Sequence, residues 1–108
     1  ETLFAQKIEY PDKEVTQEFK VDEIEKTYKE VYYLYKENKF EETIVKIDEI
    51  LPTLKSSKLL PKFELLKAYS IGKHKDKETY KKAMEFVAVN YANTEEGKKA
   101  KQIVEQIK

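Results

Sequence analysis

The 108-residue chain contains no cysteine and no arginine, and it has only two glycines and three prolines. The lack of cysteine excludes disulfides, thiolate metal sites and a cysteine nucleophile. Because so little of the sequence favours turns, we expect a few helices rather than many short strands. No apolar run approaches the ~18 residues that a membrane span requires, and no secretory signal opens the sequence.

Charge is balanced overall, with 21 basic and 21 acidic residues, but it is unevenly distributed. Residues 1–54 hold 14 acids and 8 lysines, whereas residues 55–82 hold 3 acids and 9 lysines. Lysine-rich faces are mostly solvated helix surface, although such an asymmetry can also orient neighbours in an assembly. The missing arginine is the usual residue for bidentate phosphate and guanine contacts, so nucleic acid is not an expected partner.

Catalytic groups are scarce in this sequence. His74 is the only histidine, and it lies in a lysine-rich turn without a neighbouring catalytic partner. Glu41-Glu42 and Glu95-Glu96 open predicted helices, where the helix dipole already favours carboxylates. No metal-ligand spacing, phosphate-binding glycine loop or nucleophile motif occurs. We therefore expect no catalytic residue, cofactor or metal site and no enzymatic activity, although a site made only of carboxylates stays open.

Residues 28–52 have the pattern of two amphipathic helices joined by a tight turn. Apolar residues recur every three or four positions on both sides of this turn: Ile24, Tyr28, Val31, Tyr35, then Phe40, Ile44, Ile47, Leu51 and Leu54. Asn38 can adopt the left-handed conformation that ends a helix. Neither helix can bury its apolar stripe alone, so we expect an antiparallel pair that leaves apolar surface for a neighbouring hairpin.

The other helix boundaries follow from caps and breakers. A short apolar helix end at 2–8 is interrupted by Pro11, after which Asp12 can cap a long helix over 13–36.

In the second half of the chain, Ser57 is the predicted N-cap of the third helix, with Pro61 in its first turn. Gly72 and the polar run to Asp76 are predicted to end it, and a fourth helix starts near Asp76. Thr94 is the predicted N-cap of the last helix.

These boundaries predict an all-α fold in one domain, residues 1–108. Because the sequence begins abruptly at Glu1, we expect this domain to be part of a longer protein. The first helical hairpin spans 13–54, the second spans 58–91, and a C-terminal capping helix covers 94–107.

The first hairpin resembles a tetratricopeptide repeat. An aromatic residue, Tyr35, ends its first helix, and the second opens with an aromatic-x-x-small-Ile pattern at Phe40, Thr43 and Ile44. In the second hairpin Tyr80 takes the place of Phe40, although the segment between its helices is longer. The resemblance implies stacked helical hairpins that form an α–α superhelix.

Nearly the whole chain also resembles the C-terminal region of the SprE/PorW lipoproteins, tetratricopeptide-repeat proteins of the type IX secretion and gliding machinery. The most specific part is PKFELLKAYSIGK, residues 61–73. This resemblance implies an outer-membrane lipoprotein that faces the periplasm and acts as a scaffold among secretion-system subunits.

In the tetratricopeptide register, one side of the first helix faces a groove. Tyr28 and Tyr35 belong to the apolar stripe and are expected in the core, whereas Tyr32 and Tyr33 are expected to be accessible. Tyr28, Tyr32 and Lys36 are spaced four apart, so they share one helix face. The candidate partner-binding residues on that face are Glu25, Tyr28, Tyr32 and Lys36.

Two functional classes follow for this chain. The first is a protein-interaction scaffold that binds another protein through the groove. The alternative is a structural spacer or capping region that packs on the rest of a larger repeat protein and has no ligand of its own. A nucleic-acid or lipid binder using the basic middle is a weaker alternative. We expect protein partners, with no direct membrane insertion by this region and no small-molecule ligand.

Overall fold

The structure, a computed structural model, describes the backbone of residues 12–54 and 57–107, and the side chains of residues 23–54 and 57–107. Five α-helices make up most of this part of the chain: α1 (Asp12–Lys36), α2 (Phe40–Leu54), α3 (Leu60–His74), α4 (Lys77–Asn90) and α5 (Glu95–Gln106). The described residues contain no strand, which confirms the all-helical prediction. The predicted helix end at 2–8, the break at Pro11 and the side chain of Asp12 lie outside the described residues.

The turn between α1 and α2 forms as predicted. Asn38 has a φ of 66°, the left-handed conformation. Its N–H donates to the carbonyl of Tyr35 at 3.0 Å, and the N–H of Lys39 donates to the carbonyl of Leu34 at 2.9 Å. This pair of hydrogen bonds is the Schellman motif, which satisfies the last carbonyls of a helix. Asparagine therefore ends α1 where the sequence predicts.

The start of α3 differs from the prediction. Ser57 is not the N-cap: that position belongs to Leu59, which has no side-chain capping bond. The hydroxyl of Ser57 instead accepts the N–H of Leu59 at 3.1 Å, in the turn before the helix. Pro61 explains the shift. With Ser57 as N-cap, Pro61 would be the fourth helical residue, where its missing N–H would break an intrahelical hydrogen bond.

The end of α3 also lies later than predicted, because the helix continues through Gly72 to His74. Only Lys75 and Asp76 separate it from α4. Residues 72–74, predicted to follow the helix, therefore belong to α3, and the connection to α4 is short.

In the second half of the chain Thr94 is the N-cap of α5, as predicted, and α4 starts next to Asp76, which is its N-cap. Asp76 accepts the N–H of Thr79 at 2.7 Å, and Thr94 accepts the N–H of Gly97 at 3.0 Å. The carboxylate of Asp76 is fully exposed, and this hydrogen bond lowers its pKa. Each cap satisfies an N–H that the first turn of a helix leaves without a partner.

The helices form two layers. Each helix packs against its neighbours in sequence, and α3 also contacts both α1 and α5. In the described part of the chain α2 and α4 do not meet. We therefore call α1, α3 and α5 the inner layer, and α2 and α4 the outer layer. The fold is a stack of helical hairpins with a terminal helix, as predicted.

Two buried clusters hold these layers together. The first joins the first hairpin to α3 through Val31, Ile47, Leu54, Phe63 and Leu66. The second joins α3, α4 and α5 through Ala68, Met84, Val87 and Ala100. Among the described residues, no helix has both the length and the apolar character needed to cross a membrane.

Candidate protein-binding surfaces

Three tyrosines of α1 form a continuous row. The ring centroids of Tyr28 and Tyr32 are 6.3 Å apart and those of Tyr32 and Tyr35 are 6.4 Å apart, with interplanar angles of 20° and 28°. Spacings of four and three residues produce this stack because they bring side chains to one face of a helix. We call Tyr28, Tyr32 and Tyr35 the tyrosine row.

Core contacts fix both ends of the tyrosine row. Tyr28 meets Phe63 edge to face at 5.2 Å, and Tyr35 meets Phe40 in the same way at 5.5 Å. Burial raises the pKa of both phenols. Tyr32, between them, is 43% exposed. The prediction that Tyr28 and Tyr35 join the core while Tyr32 stays accessible is confirmed, and the same holds for Tyr33, which is 70% exposed.

A cation lies close to the exposed member of the row. The Nζ of Lys36 lies 5.9 Å from the centroid of the Tyr32 ring, within cation–π range. Glu96 of α5 adds to the rise in the pKa of Tyr28, after burial and Tyr32. The structure thus brings Tyr28, Tyr32 and Lys36 together. Glu25 is exposed about one turn before Tyr28, and no hydrogen bond or ion pair links it to the other three.

A second surface lies between α3 and α4, and the sequence analysis missed it. It is a cleft of about 240 Å³ lined by Glu64, Lys67, Ala68, Ile71, Ala83, Phe86 and Val87. We call it the α3–α4 cleft. Phe86 is 48% exposed, and its ring meets Tyr91 edge to face at 6.3 Å. One feature of the sequence could have indicated this surface: Phe86 falls outside the buried stripe of Met84 and Val87, so an aromatic side chain is expected to be accessible there.

The two charged residues of the α3–α4 cleft, Glu64 and Lys67, both belong to α3, and their partners lie on α2 and at the C-cap of α4. Lys67 pairs with Asp48 of α2 at 2.6 Å. The hydroxyl of Tyr91, the C-cap of α4, donates to Oε2 of Glu64 at 3.4 Å. Burial raises the pKa of Glu64, and this effect outweighs Lys67 and the Tyr91 hydrogen bond, which both lower it; Asp48 raises it further.

A third cleft, of about 370 Å³, opens between α1 and α2. Its lining combines the apolar side chains of Val31, Leu34 and Ile50 with polar side chains that include Glu30 and Lys46. It lies between the two helices of the first hairpin.

No metal site is apparent in the described residues, since no group of three or more His, Asp or Glu side chains is placed to hold an ion. His74, the last residue of α3, is exposed between Lys73 and Lys75.

Comparison with known proteins gives no match: no protein-family model, curated protein or solved structure shows significant similarity to this chain.

Proposed function

We propose that this chain is a non-enzymatic protein-interaction scaffold that binds another protein through the inner face of its first hairpin. The observation that carries the proposal is the position of Tyr32. Its ring is half-exposed between two tyrosines that the core holds in place, and a lysine ammonium lies over it.

This arrangement suits protein binding for two physical reasons. Tyrosine buries much area with few rotatable bonds, so it loses little conformational entropy on binding. Here Tyr28 and Tyr35 already restrict the ring of Tyr32, which lowers that cost further. Lys36 beside the ring and the exposed Glu25, about one turn before Tyr28, supply charges of both signs that can select a partner.

We further propose that the chain belongs to the tetratricopeptide-repeat proteins of the type IX secretion and gliding machinery, at the periplasmic face of the outer membrane. This part rests on the sequence resemblance, above all on residues 61–73. The two-layer stack of helical hairpins is compatible with it, because the inner layer of such a stack offers one continuous face.

The test is a Tyr32→Ala, Lys36→Glu double variant. The matched control is Tyr33→Ala, Lys26→Glu, which makes the same changes at exposed positions on another face of α1. Both variants should keep the circular dichroism and melting temperature of the wild type. Each is immobilised and exposed to the envelope fraction of a bacterium that uses type IX secretion, at low and moderate salt, and the captured proteins are quantified by mass spectrometry.

We expect the double variant to lose a defined set of proteins, including secretion subunits, that the wild type and the control retain. Loss of a hot spot reduces affinity by roughly thirtyfold. Equal capture by all three chains would reject the inner face as the binding surface and leave the spacer function. Selective capture without secretion subunits would keep the scaffold and reject the secretion assignment.

A further inference from the structure

The α3–α4 cleft contains a carboxylate that lacks a strong partner. The cation in its lining, Lys67, is already held by Asp48 at 2.6 Å. Glu64 accepts the phenol of Tyr91 at 3.4 Å, a long distance for a hydrogen bond to a carboxylate. Among the described residues Glu64 forms no ion pair. The cleft therefore offers an acceptor group whose charge is only partly compensated, beside apolar side chains.

Its size and shape favour a single side chain over a small molecule. The cleft holds about 240 Å³, less than the roughly 300–1,000 Å³ of small-molecule sites. The ring of Phe86, 48% exposed, forms one wall beside Glu64. A guanidinium can lie flat against such a ring while it donates two hydrogen bonds to a carboxylate, which an ammonium cannot do.

We propose that the α3–α4 cleft binds an arginine side chain, presented beside an aliphatic residue by a segment of another protein. The guanidinium pairs with Glu64 and lies against Phe86, and the aliphatic neighbour covers the floor at Ile71 and Ala83. This chain contains no arginine, so the occupant is not a second copy of it. The cleft involves none of the tyrosine row, so the proposal stands apart from the function proposed above.

The experiment selects short random peptides displayed on phage. The phage pool is first depleted on the Glu64→Gln, Phe86→Ala double variant and then selected on the full wild-type chain. The matched control, Glu85→Gln, Val89→Ala, makes similar changes at exposed positions of α4 outside the cleft lining; Val89 is 75% exposed. All the changed positions except Glu64 are exposed, and Glu64→Gln keeps an acceptor for Tyr91. Circular dichroism and melting curves confirm that each variant folds.

We expect the recovered peptides to share an arginine next to leucine, isoleucine or valine. A representative peptide should bind the control as it binds the wild type. The affinity of this peptide for the wild type should fall about tenfold when citrulline, the uncharged analogue, replaces its arginine. The affinity of the original peptide for the Glu64→Gln variant should fall by the same factor.

Several results would overturn the proposal. The first is that no recovered peptide depends on the cleft for binding. The second is that the recovered peptides lack arginine. The third is that a peptide with citrulline or lysine in place of arginine binds as tightly as the original. Self-association of the wild-type chain that the double variant abolishes, measured by analytical ultracentrifugation, would assign the cleft to a second copy instead.

Discussion

Gly72 of α3 lies directly against the ring of Tyr80 in α4. A Cβ added at Gly72 would be 2.6 Å from Cδ1 and 2.7 Å from Cε1 of that ring. The two helices approach closely at the turn end of the second hairpin because position 72 has no side chain. In the first hairpin the corresponding contact is made by two rings, those of Tyr35 and Phe40.

This contact predicts opposite effects of one substitution in two backgrounds. In the wild type, Gly72→Ala should lower the free energy of unfolding, because overpacking costs about 1–3 kcal/mol and the gain in helix propensity is about 1 kcal/mol. In a Tyr80→Ala background the clash is gone, so Gly72→Ala should be stabilising. Urea denaturation of the four chains measures both effects. If Gly72→Ala changed the free energy of unfolding in the same direction in both backgrounds, the close contact between Gly72 and Tyr80 would be contradicted.

Gly97→Ala should be more damaging than Gly72→Ala. A Cβ at Gly97 would lie 1.8 Å from the carbonyl oxygen of Tyr91, a backbone atom that no side-chain substitution can remove. Helix α5 would have to move away from the end of α4, which also disturbs the cap that Thr94 makes. We expect a loss of about 3 kcal/mol or more, seen as a lower melting temperature. Lys98→Ala, at an exposed neighbouring position, is the control and should change little.

Ile47→Ala should cost about 2–5 kcal/mol, the usual range for truncating a buried isoleucine. Ile47 has no exposed surface and lies in the cluster that joins the first hairpin to α3. For a domain whose total stability is about 5–15 kcal/mol, this is a large share. Val45→Ala on the same helix, at a half-exposed position, should cost far less. Similar losses in the two variants, measured by chemical denaturation, would show that the buried face of α2 is misassigned.

Glu64→Gln should make the chain more stable at neutral pH relative to the wild type. The pKa of Glu64 is raised by burial in the folded state, so the folded state holds this proton more tightly than the unfolded state does. The wild type therefore loses stability as pH rises from about 4.3, the ordinary glutamate pKa, through the higher folded value. Melting temperatures of both chains across this window check the prediction. If the stability advantage of Glu64→Gln over the wild type became smaller as the pH rises, the prediction would be wrong.

Local backbone signals were readable from the sequence. Asn38, Asp76 and Thr94 each act on N–H or carbonyl groups within a few residues, so their roles need no knowledge of the tertiary fold. The prediction that Ser57 is the N-cap of α3 was wrong, and the reason is also local. Pro61 already excluded it as an N-cap, since the fourth helical residue must supply an N–H.

The tyrosine row and the α3–α4 cleft differ in how far the sequence predicts them. The tyrosine row and Lys36 lie on one helix. The spacing of Tyr28, Tyr32 and Lys36 in the sequence was therefore enough to place these three residues together. The cleft exists because α2 and α4 do not meet over α3. Helical periodicity shows that Phe86 lies off the buried stripe, but it does not show which helix lies opposite.

The two-layer arrangement also determines how the chain folds. Every contact between helices joins neighbours or next-neighbours in sequence, so the mean chain separation between contacting residues is small. Proteins with such low contact order close short loops first and fold in microseconds to milliseconds. Each pair of packed helices is also a partly independent unit, so local unfolding can begin at either end of the stack. Amide hydrogen exchange should therefore be slowest in α3, which contacts all four other helices, and faster in α1 and α5.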